Sequence, residues 1–368
     1  MSVEKAVLLL GRRDEPTDGV ADYCEKLREA GLQHGVSFEV VSVPWAEKGW
    51  RNALAELRRA AADWRDRWAF LQFTTLAWSR RGFPLRAPRV LDVLRQCGAR
   101  PAVVFHDFMP LRGSGIVGRV REYSHLHVLR GLYARSNLAV FTVSVDLITW
   151  LPPERDKAIF IPVGSNFPDL DCKMNNDATV PSTVSTVAVF GFTSGAVGIE
   201  EVGDIAYALK GAQSKGVRVR LITIGRGTDE FEGALRTALN GSGIEFSTLG
   251  LMSGENLVRA LASAQVLLCV RGRVSSRRGS AIAGIACGLP IVGYRGEETG
   301  FPITEAGVRL VDARDRKGLS QALAQVLTDE KMYQELRQRS QAAARDYFSW
   351  DAIASQFVTA MSTSRVTH

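Results

Sequence analysis

The chain is 368 residues long, too long for a single core at roughly 100–200 residues per domain, so the expectation is two domains. Apolar residues at 46% and charged residues at 23% are globular values that exclude disorder, collagen and coiled coil. A formal net charge of +7 points to an anionic partner: nucleic acid, a membrane face or a phosphorylated small molecule.

In chain order, the first half alternates short β-branched runs with helical stretches. Ala6–Leu10 reads as a buried strand, and Gly19–Gly35 as a helix with Val20, Tyr23, Leu27 and Leu32 at helical spacing. A strand at Val36–Val43, a helix at Glu47–Arg65 and a strand at Ala69–Phe73 follow. Next come a helix near Ala87–Cys97, a strand Ala102–Phe105, a helix within Gly115–Arg135, and strands Leu138–Val143 and Ala158–Ile161. From Gly164 to Ser185 the periodicity stops in a polar, Pro-containing stretch that reads as a linker.

The alternation then restarts. Strands are expected at Thr186–Phe190, Val217–Ile224, Glu245–Thr248, Val266–Val270 and Pro290–Val292. Helices are expected at Ile199–Gln213, Phe231–Leu239, Glu255–Ala262 and Ser280–Cys287, with two or three more from Lys317 onward. Strand–helix alternation at this spacing implies parallel sheets covered on both faces, here two doubly wound α/β domains in tandem. Ligands bind beyond the carboxyl ends of such strands, so a cleft between the domains is the expected site.

The basic surplus is uneven. Up to Lys157 there are 24 Lys/Arg against 18 Asp/Glu, and beyond it 22 against 21. Without Lys/Arg blocks interleaved with aromatics, this is weak evidence for nucleic acid. No apolar run approaches the ~20 residues of a membrane helix. Met1–Lys5 lacks a basic-then-apolar secretory profile. The five cysteines (Cys24, Cys97, Cys172, Cys269, Cys287) are scattered without a CxxC pair, which argues for a reducing, cytoplasmic setting and against a disulfide frame or structural zinc.

The segment richest in chemistry runs from Arg271 to Tyr294. Arg277-Arg278-Gly279-Ser280 open a helix of small residues directly after a strand and a short loop. Free backbone N–H groups at Gly279, Ser280 and Ala281, with the helix dipole and the arginines, favour a diphosphate there. As plain packing, the same residues would make a tight helix with two solvated arginines. Asp18 and Gly19 begin the first helix, as turn chemistry or as a close approach to substrate. His106 ends a buried strand, either as a site residue or as a satisfied core histidine, and Asp107 after it is a loop cap or a substrate contact. Gln72 sits on the strand that runs into the basic loop Ser79–Pro84. His125 and His127, at i and i+2, do not share a helical face and so lack metal spacing. The Gly115–Arg135 stretch interleaves apolar residues with Arg119, Arg121, Arg130 and Arg135, which suits an anionic membrane surface or, more plainly, a core stripe with a solvated edge.

Several segments carry a resemblance. Ala286-Cys287-Gly288-Leu289-Pro290-Ile291-Val292 after its loop and helix resembles the donor-binding region of GT-B glycosyltransferases, the family 4 type in particular. Tyr347–Ala354 is similar to that family's closing motif, Pro16–Tyr23 to its first loop and helix, Val103–Asp107 to its strand ending in His, and Ile161–Gly164 to its Ile-Pro-x-Gly signature. Gly191 is in register as well. The resemblance implies two Rossmann-like doubly wound domains facing across a cleft. It implies an acceptor domain at 1–165, a linker at 166–185, a donor domain at 186–346, and a final helix at 347–368 crossing back to the first domain. The implied activity is transfer of a sugar from a UDP- or GDP-linked donor to a glycan, lipid-linked or small-molecule acceptor hydroxyl, retaining and without metal or other cofactor, in bacterial glycan or glycoconjugate biosynthesis. Peripheral contact of the basic first domain with the inner membrane face fits the same picture.

The resemblance further implies that His106 hydrogen-bonds donor sugar or acceptor, and it sets Gly191, Phe192 and Thr193, Ser275 and the Arg278–Ala281 turn beside the donor. Where the usual residues are replaced, the candidates are substitutes: Arg277 and Ser280 for the developing diphosphate charge with the Gly279 and Ala281 amides, Arg226 or Arg271 for further charge, and Glu297 or Glu298 for the ribose. The acceptor-side candidates are Asp18, Gly19, Gln72 and Asp107. The sequence also departs from that pattern. The two glutamates usually found eight positions apart are Ser275 and Ala283, and the usual phosphate-gripping Arg and Lys positions hold Phe192 and Val197. Rival readings are a catalytically silent binding or scaffold protein and a nucleotide-sugar epimerase.

Overall fold

The computed structural model of the protein describes residues 3–13, 18–111, 113–165 and 184–364. The polar stretch read as a linker, 166–183 within it, and residues 14–17 of the first loop lie outside the described residues. The chain divides into two units, residues 1–163 with 350–368, and residues 164–349.

In the first unit, β1 (Glu4–Leu10), β2 (Val36–Ser42), β3 (Trp68–Phe73), β4 (Arg100–Phe105), β5 (Leu138–Phe141) and β6 (Ala158–Phe160) form one parallel sheet in the order β2-β1-β3-β4-β5-β6. The central strands are continuous apolar runs because both faces are covered. On one face lie α2 (Trp45–Ala60), α3 (Pro88–Gln96) and α4 (Gly115–Arg135), built into a core with Leu57, Leu91, Phe105, Leu129 and Phe141. On the other lie α1 (Gly19–Gly31) and the closing helix α11 (Trp350–Thr363), whose Ile353 and Phe357 pack with Leu8, Leu27 and Phe70.

The second unit holds β7 (Ser185–Phe190), β8 (Val219–Ile224), β9 (Glu245–Gly250), β10 (Val266–Cys269), β11 (Ile291–Tyr294) and β12 (Val308–Val311), all parallel, in the order β12-β11-β10-β7-β8-β9. Its helices are α5 (Ala196–Gln213), α6 (Thr228–Leu239), α7 (Gly254–Ala262), α8 (Gly279–Ala286), α9 (Arg316–Thr328) and α10 (Glu330–Ala343). Taken from β7, this is the dinucleotide-fold order 3-2-1-4-5-6. The order reverses between β1 and β3 in the first unit and between β7 and β10 in the second, and ligands bind at such switch points.

Several element boundaries shift by a few residues, as where α5 starts at Ala196 and α6 at Thr228, and three differences have a local reason. The β12 strand has no periodic signal, being four residues at the sheet edge with Arg309 exposed in the middle. The first helix gives way to a 3-10 turn at Leu32–His34, which Gly35 closes at φ 76°. The second helix starts two residues earlier, at Trp45, and is bent at Gly49, whose φ of 75° only glycine adopts readily. Among the described residues no helix is long and apolar enough to cross a membrane.

Candidate functional site

In the first unit the switch point is built from the ends of β1, β3 and β4 and the start of α1. Asp18 caps α1, accepting from the Val20 and Ala21 amides at 2.9 and 3.1 Å. Gly19 is the first helical residue. The His106 amide, one residue past β4, donates to the Phe73 carbonyl. Asp107 uses a carboxylate oxygen to accept the Thr75 amide at 2.7 Å, tying the β3 and β4 ends together. Asp18 and Asp107 thus both serve as caps of the frame that carries His106.

The His106 ring is partly buried, and its Nε2 lies 2.9 Å from Gln72 Oε1. An amide oxygen only accepts, so Nε2 carries the proton and Nδ1 is an acceptor. Burial pushes the His106 pKa down to about 4, against the raising effect of the Asp107 and Asp18 charges, so the imidazole is neutral at pH 7. The Tyr23 ring meets it edge-on at 5.0 Å. Tyr23 was not among the site residues expected from sequence, where its helical spacing marked it as core. Gln72 and Tyr23 are both 1% exposed. Gln72 Nε2 and the Tyr23 hydroxyl have no hydrogen-bond partner among the described residues. A buried donor left unmade costs about 1–3 kcal/mol, so two beside one neutral imidazole are a local cost of this frame.

In the second unit the corresponding edge is made by the turns after β7, β8, β10 and β11. Gly191 has φ 76°, and a Cβ there would come within 2.8 Å of the Arg271 guanidinium, which lies across it. Gly225 and Gly227 flank Arg226 at φ 93° and 81°, and the Arg226 carbonyl accepts the Phe192 amide. Phe192 is 3% exposed with its ring 5.4 Å from Phe231, so this side chain belongs to the core. Thr193 gives both its amide and its hydroxyl to the buried carboxylate of Glu201, at 2.8 and 2.7 Å. Of this turn, then, the Phe192 and Thr193 side chains are committed to the frame. Ser275 is buried, and its carbonyl accepts the Arg278 amide.

The loop after β10 concentrates positive charge. Arg271, Arg273, Arg277 and Arg278 fall within eight residues, and Arg278 packs against Gly272 at φ 70°. Burial, then the charges of Arg271 and Arg277, lower the pKa of Arg278, the signature of cations held close together. Arg273 is drawn off over the Tyr294 ring. Glu298 is the carboxylate at this cluster, gripping Arg277 in a two-pronged pair at 2.7 and 2.8 Å. The α8 amides of Gly279, Ser280 and Ala281 have no partner among the described residues, as the first turn of a helix leaves them. Three clustered guanidiniums beside open amides form an anion site that can take a diphosphate.

The other end of α8 explains the segment with the resemblance. Gly288 at φ 68° ends the helix, with the Leu289 amide reaching back to the Gly284 carbonyl. A Cβ on Gly284 would strike Leu267 of β10, so Gly284 lets the helix lie close on the sheet. Among the described residues no three His, Cys, Asp or Glu side chains come together as a metal site. His125 is fully committed, with Nε2 2.7 Å from the Gly82 carbonyl and Nδ1 accepting the Leu111 amide.

No protein-family model matches the chain, and no curated protein matches it in sequence. Solved structures do match over the whole length. HepE of Anabaena, in complex with UDP and glucose, superposes with a TM-score of 0.65 at 14% identity, covering 98% of this chain and 100% of HepE. Sucrose-phosphate synthase of Thermosynechococcus elongatus gives 0.67 at 15%, over 99% and 100%. A glycosyltransferase of Rickettsia africae gives 0.68 at 10%, over 100% of both chains. The fold is GT-B. The match covers both chains almost entirely, and in this chain α11 groups with the first unit.

Proposed function

We propose that this protein is a GT-B glycosyltransferase of the family 4 type. It transfers a sugar from a UDP- or GDP-linked donor to an acceptor hydroxyl, with retention and without a metal or further cofactor. The observation that carries the reading is the cluster of Arg271, Arg277 and Arg278 against the unpartnered α8 amides. In this reading that turn binds the donor diphosphate, and catalysis is positioning plus stabilisation of the charge that develops on the leaving group.

The Arg277–Glu298 pair fits that role. Its side chains are 40% and 29% exposed, and such a pair contributes only about 0–1 kcal/mol. A diphosphate is a better partner for Arg277, and the exchange releases the Glu298 carboxylate for ribose hydroxyls. Arg271, Arg278 and the Arg226 loop supply further charge, and Gly191 keeps Arg271 in place. On the acceptor side, neutral His106 accepts a hydroxyl proton at Nδ1 while Gln72 Nε2 and the Tyr23 hydroxyl donate to sugar oxygens. The acceptor belongs to bacterial glycan or glycoconjugate synthesis, in the cytoplasm or at the inner membrane face. Cys24, Cys97 and Cys269 are free thiols, which suits that reducing compartment.

The experiment is a thermal-shift screen against UDP- and GDP-sugars, followed by mass analysis of candidate acceptors. A donor at a hundred times its dissociation constant adds about 2.7 kcal/mol of stability. Binding with transfer supports the proposal. Binding with isomerisation of the sugar assigns an epimerase. Absence of any nucleotide-sugar binding assigns the silent scaffold, the reading motivated by Ser275 and Ala283 standing where glutamates are usual.

A further inference from the structure

The side of the first unit covered by α2, α3 and α4 carries two adjoining hollows, and no residue of the His106 site lines either of them. One, of about 680 Å³, runs between α2 and α3 over Leu54, Ala55 and Val93. Its walls are Trp50, Gln96 and the arginines Arg51, Arg58, Arg86 and Arg89. The other, of about 430 Å³, lies between α3 and α4, shares Arg89 and Asp92 with the first, and adds His127, Arg130 and Arg135.

The positive charge here is largely unpaired and spread out. Among the described residues, Arg51, Arg86, Arg89 and Arg130 have no hydrogen-bond or ion-pair partner, while Arg58 donates to Gln96. Arg51 and Arg58 are seven residues apart on α2, about 10 Å along its axis, and Arg130 belongs to the third helix of the row. A single phosphate is gripped by guanidiniums that converge on it, whereas guanidiniums strung along a groove suit a chain that carries anions at intervals. Asp92 is the one acidic residue lining either hollow among the described residues. It accepts Arg135 Nε at 2.9 Å, and its side chain is 43% exposed. Common to both hollows, it repels an unbroken row of anions yet accepts from hydroxyls. Trp50 is partly exposed, and its ring stacks on Trp45 with centroids 5.2 Å apart, so an aromatic surface is held at the first hollow. Carboxylates for the arginines, hydroxyls for Asp92 and an apolar ring face for Trp50 occur together in a chain of acidic sugars.

We propose that the α2–α3–α4 hollows bind an extended acidic glycan of the uronic-acid type. Arg51, Arg86, Arg89 and Arg130 pair with its carboxylates, Asp92 accepts from its hydroxyls, and a sugar face lies on Trp50. Helices of a parallel α/β unit run back from the carboxyl edge of the strands. Arg86 and Arg89, just before and at the start of α3, therefore stand towards the edge at which β3 and β4 deliver Gln72 and His106. Resting on the transferase reading, the glycan is the acceptor chain, with its reacting end at His106 and its other sugars in the hollows. The binding itself does not depend on that reading.

The test titrates the full chain, without nucleotide sugar, into fluorescently labelled oligogalacturonate, dextran and polyglutamate of similar length. Dextran carries hydroxyls without carboxylates, and polyglutamate carries carboxylates without sugar rings. Oligogalacturonate should bind and be released as salt is raised, dextran should not bind, and polyglutamate should bind more weakly. Arg86→Ser with Arg89→Ser should weaken oligogalacturonate binding about tenfold, with the melting temperature and the thermal shift with a nucleotide sugar unchanged. Asp92→Asn should narrow the gap between oligogalacturonate and polyglutamate, whereas a merely basic patch would gain equally for both. No binding of oligogalacturonate, equal binding of polyglutamate, or an arginine variant that binds like the parent would overturn the proposal. Glycan binding in a chain that takes no nucleotide sugar would instead remove the transferase reading and leave the hollows as a glycan site.

Discussion

His106 Nε2 sits 2.9 Å from the Oε1 of Gln72, a residue on the adjacent strand, so the amide holds the imidazole in one tautomer. Burial lowers its pKa to about 4 from the usual 6.5. As pH falls below 6.5 the unfolded chain takes up the proton while the folded protein resists it until about pH 4. Stability is therefore complete above pH 6.5 and is lost progressively towards pH 4, by roughly 3 kcal/mol from this residue. Buried His125 adds a loss of the same sign. Urea melts between pH 4 and 7, with ring titration by NMR to separate the two, check this. Gln72→Glu should raise the His106 pKa; a ring that still titrates near 4 would show that Gln72 is not its partner.

Arg277→Ala should lower turnover about tenfold or more with the melting temperature nearly unchanged, because the residue gives up only an exposed pair with Glu298. Glu298→Gln separates its two proposed roles. If its carboxylate only holds Arg277, freeing the guanidinium should tighten UDP binding. If it holds the ribose, UDP binding should weaken instead. Calorimetric titration of UDP into the parent and both variants reads the sign.

Gly191→Ala meets two obstacles at once, a φ of 76° and the Arg271 guanidinium. The backbone strain costs about 1–2 kcal/mol, and Arg271 must leave its place over the turn. A lowered melting temperature with weaker UDP binding is expected. A variant that melts earlier and binds UDP as well as the parent would remove Arg271 from the diphosphate site.

The strands and helices were legible because parallel strands covered on both faces are continuous apolar runs, as in Val103–Phe105 and Val266–Leu268. The turn at Arg277–Ser280 was legible too, since orphan amides at a helix start follow from chain geometry alone. Phe192 and Thr193 were not. Adjacent to Gly191 in sequence, they read as part of the donor turn, whereas packing on Phe231 and the Glu201 carboxylate ties both side chains to the frame. Tyr23 was hidden for the opposite reason: a core-spaced aromatic can carry a hydroxyl into a site, and only its edge-on contact with His106 reveals that. The two ends of α8 show the same division, with periodicity giving the element and three-dimensional neighbours deciding which side is open.

Thr193→Val tests that division directly. Glu201 is 4% exposed and accepts both Thr193 donors. The valine keeps the amide bond and the volume but leaves the carboxylate short of one hydrogen bond, which costs about 1–3 kcal/mol because the group is charged and buried. The melting temperature should fall, and UDP titrated well below that temperature should bind as it does to the parent, since the anion is held by Arg271, Arg277, Arg278 and the α8 amides. Loss of UDP binding in a folded Thr193→Val protein would return the hydroxyl to the donor site and take Glu201 with it.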